Sequence, residues 1–97
     1  MLTGKERAYL KSLANGIKPI TQIGKYGITD KFLSQLDDAL ENREIVKINI
    51  LENSSLDTKQ AADEIVKSLN AEFVQAIGNK ITIYKRSKNN PKIQLPK

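Results

Sequence analysis

Residues 20–33, ITQIGKYGITDKFL, join an apolar run to an amphipathic segment through a four-residue loop. The loop residues are Gly24, Lys25, Tyr26 and Gly27. A glycine at each end allows the loop to take positive φ angles and allows another molecule to come close to its backbone. Since Thr29 is a typical N-cap residue, the stretch predicts a strand, a loop and a helix in succession.

The loop offers backbone and side-chain groups that suit an anionic ligand. Backbone N–H groups in a loop that leads into a helix point outward, and the helix dipole adds positive potential there. Lys25 contributes a cation and Tyr26 a flat aromatic face, so a phosphate with a base beside it would fit, as in a nucleic-acid strand. The G-x-x-G spacing alone is a weak signal, because glycines between a strand and a helix often serve only a turn. Both interpretations stay open at this point.

The composition limits the chemistry that the chain can perform. Its 97 residues predict one domain, which would bury roughly two-thirds of its unfolded surface. The absence of cysteine and histidine removes disulfides, thiolate chemistry, the commonest metal ligand and the usual general base at neutral pH. We therefore expect a non-enzymatic protein with no cofactor, no metal and no small-molecule substrate.

The chain shows no signal-peptide core, and no apolar run approaches the roughly 20 residues of a membrane span. These features predict a soluble, cytoplasmic protein without a membrane partner, which we expect to be a monomer.

The positive charge is segregated along the chain. Residues 1–31 carry a net charge of +4, residues 32–72 carry −5 and residues 73–97 carry +6. Two basic ends flanking an acidic middle favour an anionic partner on one side of the fold. The alternative is that the basic end of the chain is only a solubilising extension.

Hydrophobic periodicity and capping residues predict three helices and four strands. The predicted order is helix 3–15, strand 20–23, helix 29–42, strand 44–51, a helix capped at residue 57, strand 72–77 and strand 80–86. Asn53, Ser54 and Ser55 form a predicted turn, and Gly78 with Asn79 predicts a two-residue hairpin. The order αβαβαββ indicates an α/β fold of the α+β, two-layer kind, a four-stranded mixed sheet with helices packed on it.

Charged residues outside the loop divide into a basic and an acidic group. Arg7 and Lys11 share a face of the first predicted helix, and Lys18 would extend this basic ridge if the helical direction continued. The acidic group, predicted to face water rather than a metal, consists of Asp37, Asp38 and Glu41. An ordinary solvated helix face is the alternative for the basic ridge.

The end of the chain differs in composition from the rest. From residue 87 it consists mainly of Lys, Asn, Pro and Gln, with isolated Ile93 and Leu95. We predict a domain at 1–86 and a basic tail at 87–97 that is either loose or draped on the sheet.

Four stretches in this order and spacing resemble the YhbY family, the stand-alone bacterial CRM domains named for chloroplast RNA splicing and ribosome maturation. They are LTGKERAYL at 2–10, residues 18–29 with KP and IGKYGIT, residues 74–86 with VQAIGNK and YKR, and IQLP at 93–96. The resemblance covers essentially the whole chain. One departure is that family members often have histidine where this chain has Asn15 and Arg43, which puts a proton-dependent role of these positions in doubt.

The resemblance implies an RNA-binding domain that is similar in fold to the C-terminal domain of bacterial initiation factor three. It also implies a glycine loop like that of KH domains and association with precursors of the large ribosomal subunit, with large-subunit ribosomal RNA as the partner. The candidate RNA-binding residues are Gly24, Lys25, Tyr26, Gly27, Arg7, Lys11, Lys18 and Lys31.

Two questions are left open by the sequence. Tyr26 could stack on a base or pack onto the fold beside the loop, whereas Tyr9 and Tyr84 are expected to be core or sheet residues. The leading hypothesis is a non-catalytic RNA-binding module in ribosome assembly. The alternative is a protein-interaction adaptor whose acidic middle docks a basic ribosomal protein.

Overall fold

The computed structural model describes residues 2–52, 54 and 56–96, and within them the elements follow the order αβαβαββ. They are α1 Gly4–Ala14, β1 Thr21–Ile23, α2 Asp30–Arg43, β2 Ile45–Ile50, α3 Thr58–Leu69, β3 Glu72–Ile77 and β4 Lys80–Tyr84. The predicted order and the four-stranded mixed sheet are confirmed. Two residues of the predicted turn at 53–55, Asn53 and Ser55, lie outside the described part of the chain.

Each helix begins at the cap that the sequence predicts. At α1, Thr3 Oγ1 accepts the N–H of Glu6 at 3.1 Å, and the Glu6 carboxylate accepts the N–H of Thr3 at 2.8 Å, which completes a capping box. Thr29 and Asp57 cap α2 and α3 with one bond each, since their side chains accept the N–H groups of Phe32 and Gln60. Each of these contacts joins residues three positions apart, so the local sequence alone determines whether it forms.

The sheet places β1 at one edge, since the strand order is β1-β2-β4-β3. β1 runs parallel to β2, and β4 is antiparallel to both β2 and β3. α2 therefore connects two neighbouring parallel strands, and α3 carries the chain past the position of β4 to the other edge. As a result, the glycine loop lies at the carboxyl end of an edge strand, where α/β sheets commonly bind ligands.

Apolar side chains pack on both faces of the sheet. One face carries Val46 and Ile48 against α2 and α3, which supply Leu36, Leu40 and Ile65. The residues of the second cluster are Leu10 and Ala14 of α1 with Ile45, Val74 and Tyr84, flanked by Ile93 and Leu95 of the tail. The two-layer description holds for the sheet with α2 and α3, and α1 with the tail adds a partial layer on the opposite face.

The tail is draped on the fold and held by two carboxylates. Glu44, a predicted strand residue, instead ends α2 with φ of 66°, and its buried side chain accepts the N–H groups of Ser87, Lys92 and Ile93. Glu41 accepts the Ser87 hydroxyl at 2.7 Å and the N–H groups of Lys88 and Asn89. The prediction that Glu41 only faces water is thus wrong, because the tail returns to α2 from more than 40 residues away.

Candidate functional site

The glycine loop forms a tight turn. The Gly27 N–H donates to the Gly24 carbonyl at 3.0 Å, with Lys25 and Tyr26 at the centre of the turn. Gly27 has φ of +68°, whereas Gly24 is outside the positive-φ region, so only the second glycine needs its conformational freedom. Within the described residues, no acceptor takes the N–H groups of Lys25 and Tyr26. These two donors are directed by the turn and open to a ligand.

The side chains at the centre of the loop point away from the fold. Tyr26 is 80% exposed. The interpretation in which it packs onto the fold beside the loop is therefore wrong. The Lys25 ammonium lies 5.1 Å from the centroid of the Tyr26 ring, within the range of a cation–π contact. The loop therefore presents a cation and an aromatic face side by side.

The start of α2 adds charge of both signs next to the loop. Thr29 Oγ1 accepts the Phe32 N–H at 3.1 Å, so the N-cap is filled from within the chain. Asp30 in the first turn complements the dipole, and exposed Lys31 follows it. Because the Asp30 carboxylate already complements the helix dipole, an anion near the loop would be attracted mainly by the loop N–H groups, Lys25 and Lys31.

The other predicted basic residues lie elsewhere. Arg7 and Lys11 are on α1, which packs on β2 and β3, so they belong to a different layer from Lys31. Lys11 is exposed and Arg7 is half-buried, with an Nε atom that has no hydrogen-bond partner among the described residues. α1 ends at Ala14, so the predicted continuation of the basic ridge to Lys18 is wrong.

Lys18 instead joins two cations that the sequence interpretation missed. Together with Arg43 and Lys47 it lines a cavity of about 360 Å³ at the start of β1 and β2. Arg43 is the last residue of α2, and Lys47 lies in β2 on the face that carries Ile45. No local signal in the sequence indicates this cluster, because the pairing of β1 with β2 brings Lys18 to the other two.

The acidic residues of α2 are largely engaged by the chain itself. Asp37 forms a salt bridge with Lys85 at 2.9 Å, and Glu41 holds the tail. The backbone N–H of Lys88, the Ser87 hydroxyl and the N–H of Asn89 lower the pKa of Glu41 below its ordinary value, against the opposing effect of desolvation. Of the three residues in the predicted acidic group, only Asp38 is exposed, and Asp37 and Glu41 are half-buried.

The two tyrosines assigned to the interior behave differently. Tyr84 is buried in the second apolar cluster, as predicted, while Tyr9 is 38% exposed on α1, so the expectation of a core role for Tyr9 is wrong. Burial, with the neighbouring Glu44 charge, raises the pKa of Tyr84.

The described residues form neither a metal site nor a membrane-spanning helix. No group of three or more acidic residues there is arranged to hold a metal ion. Likewise, none of the helices within the described ranges combines the length and apolar character needed to cross a membrane.

The sequence pattern of the CRS1 / YhbY (CRM) domain matches residues 2–85. The chain belongs to the CRS1 / YhbY (CRM) domain family. A CRM relative, the probable RNA-binding protein YqeI of Bacillus subtilis (strain 168), is 44% identical over 96 residues, which cover 99% of this chain and 100% of the relative. An RNA-binding protein of Haemophilus influenzae is 33% identical over 97 residues, covering 99% of this chain and 96% of its own length.

A solved structure shares the CRM fold. It is the solution structure of a hypothetical protein from Staphylococcus aureus, which is provisionally described as an RNA binding protein. It is 49% identical to this chain, with a TM-score of 0.82, and the match covers 99% of this chain and 100% of that one. The resemblance noted from the sequence motifs is therefore confirmed at the level of family and fold.

Proposed function

We propose that this chain is a non-catalytic RNA-binding protein that binds ribosomal RNA in precursors of the large ribosomal subunit. The observation that carries the proposal is a CRM domain whose glycine loop presents two unpaired N–H groups, a lysine and an exposed tyrosine together. Residues 1–86 would form the RNA-binding domain and 87–97 its basic tail, in a monomer that acts in the cytoplasm.

The loop chemistry suits a phosphodiester with an unstacked base. The N–H groups of Lys25 and Tyr26 would donate to phosphate oxygens, and Lys25 and Lys31 would neutralise their charge. Stacking of a base on Tyr26 would contribute roughly 1–3 kcal/mol. All of these contacts are independent of base identity, so they position RNA without specifying its sequence.

The ribosomal target follows from the kind of RNA that such a surface recognises. A loop that grips phosphates and one exposed base selects an RNA shape, and folded ribosomal RNA offers such shapes before ribosomal proteins cover them. The YhbY resemblance of the motifs implies the large subunit. The protein would leave when that RNA surface closes.

Crosslinking in cells, followed by sequencing of the attached RNA, tests the ribosomal target. We expect most sites in a compact region of large-subunit ribosomal RNA, and we expect density gradients to show the protein with immature particles. Nuclease treatment should release it from them. Crosslinks scattered over messenger RNAs, with no peak on precursors, would overturn the assembly role, and nuclease-resistant association would favour the adaptor.

The adaptor alternative has less surface than the sequence suggested. Asp37 and Glu41, two of its three acidic residues, are bound to Lys85 and to the tail. A basic ribosomal protein would have to displace these internal contacts. Of these three residues only Asp38 offers an acidic side chain without that cost, and the other exposed carboxylates of the acidic middle include Asp63 and Glu64 on α3.

Salt dependence tests the electrostatic part of the proposal in a purified system. Four to six phosphate contacts would give a slope of log K against log salt of roughly −3 to −4 on single-stranded RNA. A titration series monitored by fluorescence anisotropy measures that slope. A slope near zero would contradict phosphate neutralisation as the basis of binding.

A further inference from the structure

A groove follows the exposed edge of β1 from the cation cluster toward the glycine loop. Its first part is the cavity lined by Lys18, Arg43 and Lys47, and its second part is a shallower cavity of about 350 Å³. The second cavity is lined by Pro19, Ile20, Thr21, Gln22 and Asn49. Pro19 and Ile20 line both, so the two cavities are adjacent, and we refer to them together as the edge groove.

The lining of the edge groove extends to Gln22, two residues before the glycine loop. β1 stops at Ile23, and Gly24 is the next residue, so the strand that borders the groove leads directly into the loop. From Ile20 to Gly24 the chain advances four residues, about 13 Å at the rise of an extended strand. A ligand that reaches from the cation cluster to the loop must therefore be longer than a single nucleotide.

The charge of the edge groove has one sign. The residues described as lining it include three cations and no carboxylate. Lys18 and Arg43 are exposed, whereas Lys47 is half-buried beside Ile45, so its charge is less screened by solvent. Such a concentration of positive charge in a concave site attracts an anion.

Amide side chains occupy the part of the edge groove between its charged end and the loop. Asn49 Oδ1 is buried and has no hydrogen-bond partner among the described residues. Gln22, next to it across the β1–β2 pair, is exposed. The exposed Gln22 amide supplies both a donor and an acceptor, which suit the edges of unpaired bases, and Ile20, 38% exposed, adds an apolar surface.

We infer that the edge groove holds the backbone of a single-stranded RNA segment, with Lys18, Arg43 and Lys47 as a second phosphate site. The inference rests on the proposed function, because the loop would grip the same strand. The strand that borders the groove leads into the loop, and the order of cations, amides and loop donors along it matches a chain of phosphates with bases attached. An acidic peptide would also match the cations, and competition with polyglutamate distinguishes it from RNA.

Binding measurements with RNAs of two lengths distinguish the contribution of the edge groove from that of the loop. We would compare fluorescein-labelled, mixed-sequence single strands of about four nucleotides, the length that a KH glycine loop clamps, with strands of about eight. The test variant is Arg43→Gln with Lys47→Gln. Its matched control is Lys59→Gln with Lys67→Gln, which removes two exposed charges from α3 on the far side of the sheet.

The groove variant should bind the longer RNA about tenfold more weakly than the control, and its salt slope should be shallower by about 1.4. Both variants should bind the short RNA equally. Because Lys47 is half-buried, Lys18→Gln with Arg43→Gln serves as a second test in which both changed side chains are exposed. Thermal melting of each variant checks that the fold is intact.

Three results would overturn the inference. The first is equal affinity of both groove variants and the control for the longer RNA, while substitutions in the loop still weaken binding, which leaves the proposed function standing. The second is displacement of the RNA by polyglutamate of equal charge. The third is the absence of binding to either RNA length by the unmodified chain, which would remove the proposed function as well.

Discussion

Two regions of this molecule carry backbone N–H groups suited to an anion, and they differ in whether the chain itself supplies the acceptor. In the tail anchor, which comprises Glu41, Glu44 and residues 87–93, two carboxylates of α2 and its C-cap accept the N–H groups of the tail. In the glycine loop the described chain provides no acceptor for the N–H groups of Lys25 and Tyr26. The chain supplies the acceptors in the first region and, among the described residues, supplies none in the second.

Burial separates the two regions as well. Glu44 is fully buried, and burial opposes its charge, yet the N–H bonds from Ser87, Ile93 and Lys92 lower its pKa below the ordinary value. Tyr26, by contrast, is among the exposed large apolar side chains. The same donor chemistry thus stabilises the fold where the chain supplies the anion and is open to binding where it does not.

Replacing Lys25 and Tyr26 by Asp should give the largest effect and separate the two regions. We expect RNA binding to be abolished, a loss of about 100-fold or more, because two carboxylates would repel the phosphate that the loop donors hold. The melting temperature should stay nearly unchanged, since both side chains are exposed. Anisotropy titrations and thermal melting measure the two quantities.

The control for this variant is Lys59→Asp with Gln60→Asp, which makes the same change of charge at the exposed start of α3. It should lower RNA affinity only slightly, through the weaker overall field. If the loop variant binds RNA as well as this control does, the loop is only a turn.

Removing the buried Glu44 carboxylate should lower the stability of the fold and leave RNA binding in place, the reverse of the effect of the loop variant. Glu44→Ala leaves the N–H groups of Ser87, Lys92 and Ile93 without their acceptor, so we expect the free energy of unfolding to fall by about 2 kcal/mol or more. The folded fraction should retain RNA binding through the loop. Chemical denaturation monitored by circular dichroism measures the loss, with exposed Glu64→Ala as the control. Equal stability of the two variants would show that the tail anchor is dispensable.

Acid should weaken the tail anchor gradually. The pKa values of Glu41 and Glu44 lie below the ordinary 4.5 in the folded protein, so their contribution to stability is present above about pH 4.5. It is lost as the pH falls through the lowered folded values. The variant Glu41→Gln with Glu44→Gln should therefore lose less stability on acidification than the parent chain. Parallel pH dependences of the two unfolding free energies would argue against this role.

The smallest expected effect concerns the backbone of the loop. Gly27→Ala places a Cβ at φ of +68°, which should cost about 1 kcal/mol, or a few degrees in melting temperature. The added carbon would lie 3.7 Å from a Leu56 methyl, an ordinary contact, so the cost comes from the backbone angle. Gly16→Ala, at a position without positive φ, should be close to neutral. An equal effect of both substitutions would mean that the turn tolerates another conformation.

The sequence by itself determined the local structure of this protein. Thr3, Thr29 and Asp57 start the helices, and the alternation of Val46, Ile48 and Ile50 indicates a strand with one buried face. These features could be predicted because each depends on hydrogen bonds or periodicity within a few residues. The loop could be located for the same reason, since glycine spacing and the following cap are both local signals.

Only the tertiary structure decided which charges meet. Glu44 looked like the first residue of a strand, but its partners lie 43 to 49 positions along the chain. Lys18 looked like the end of a helical ridge, and the parallel pairing of β1 with β2 instead brings it to Arg43 and Lys47. Contacts of this kind depend on strand order and on the path of the tail, and neither leaves a periodic trace in the sequence.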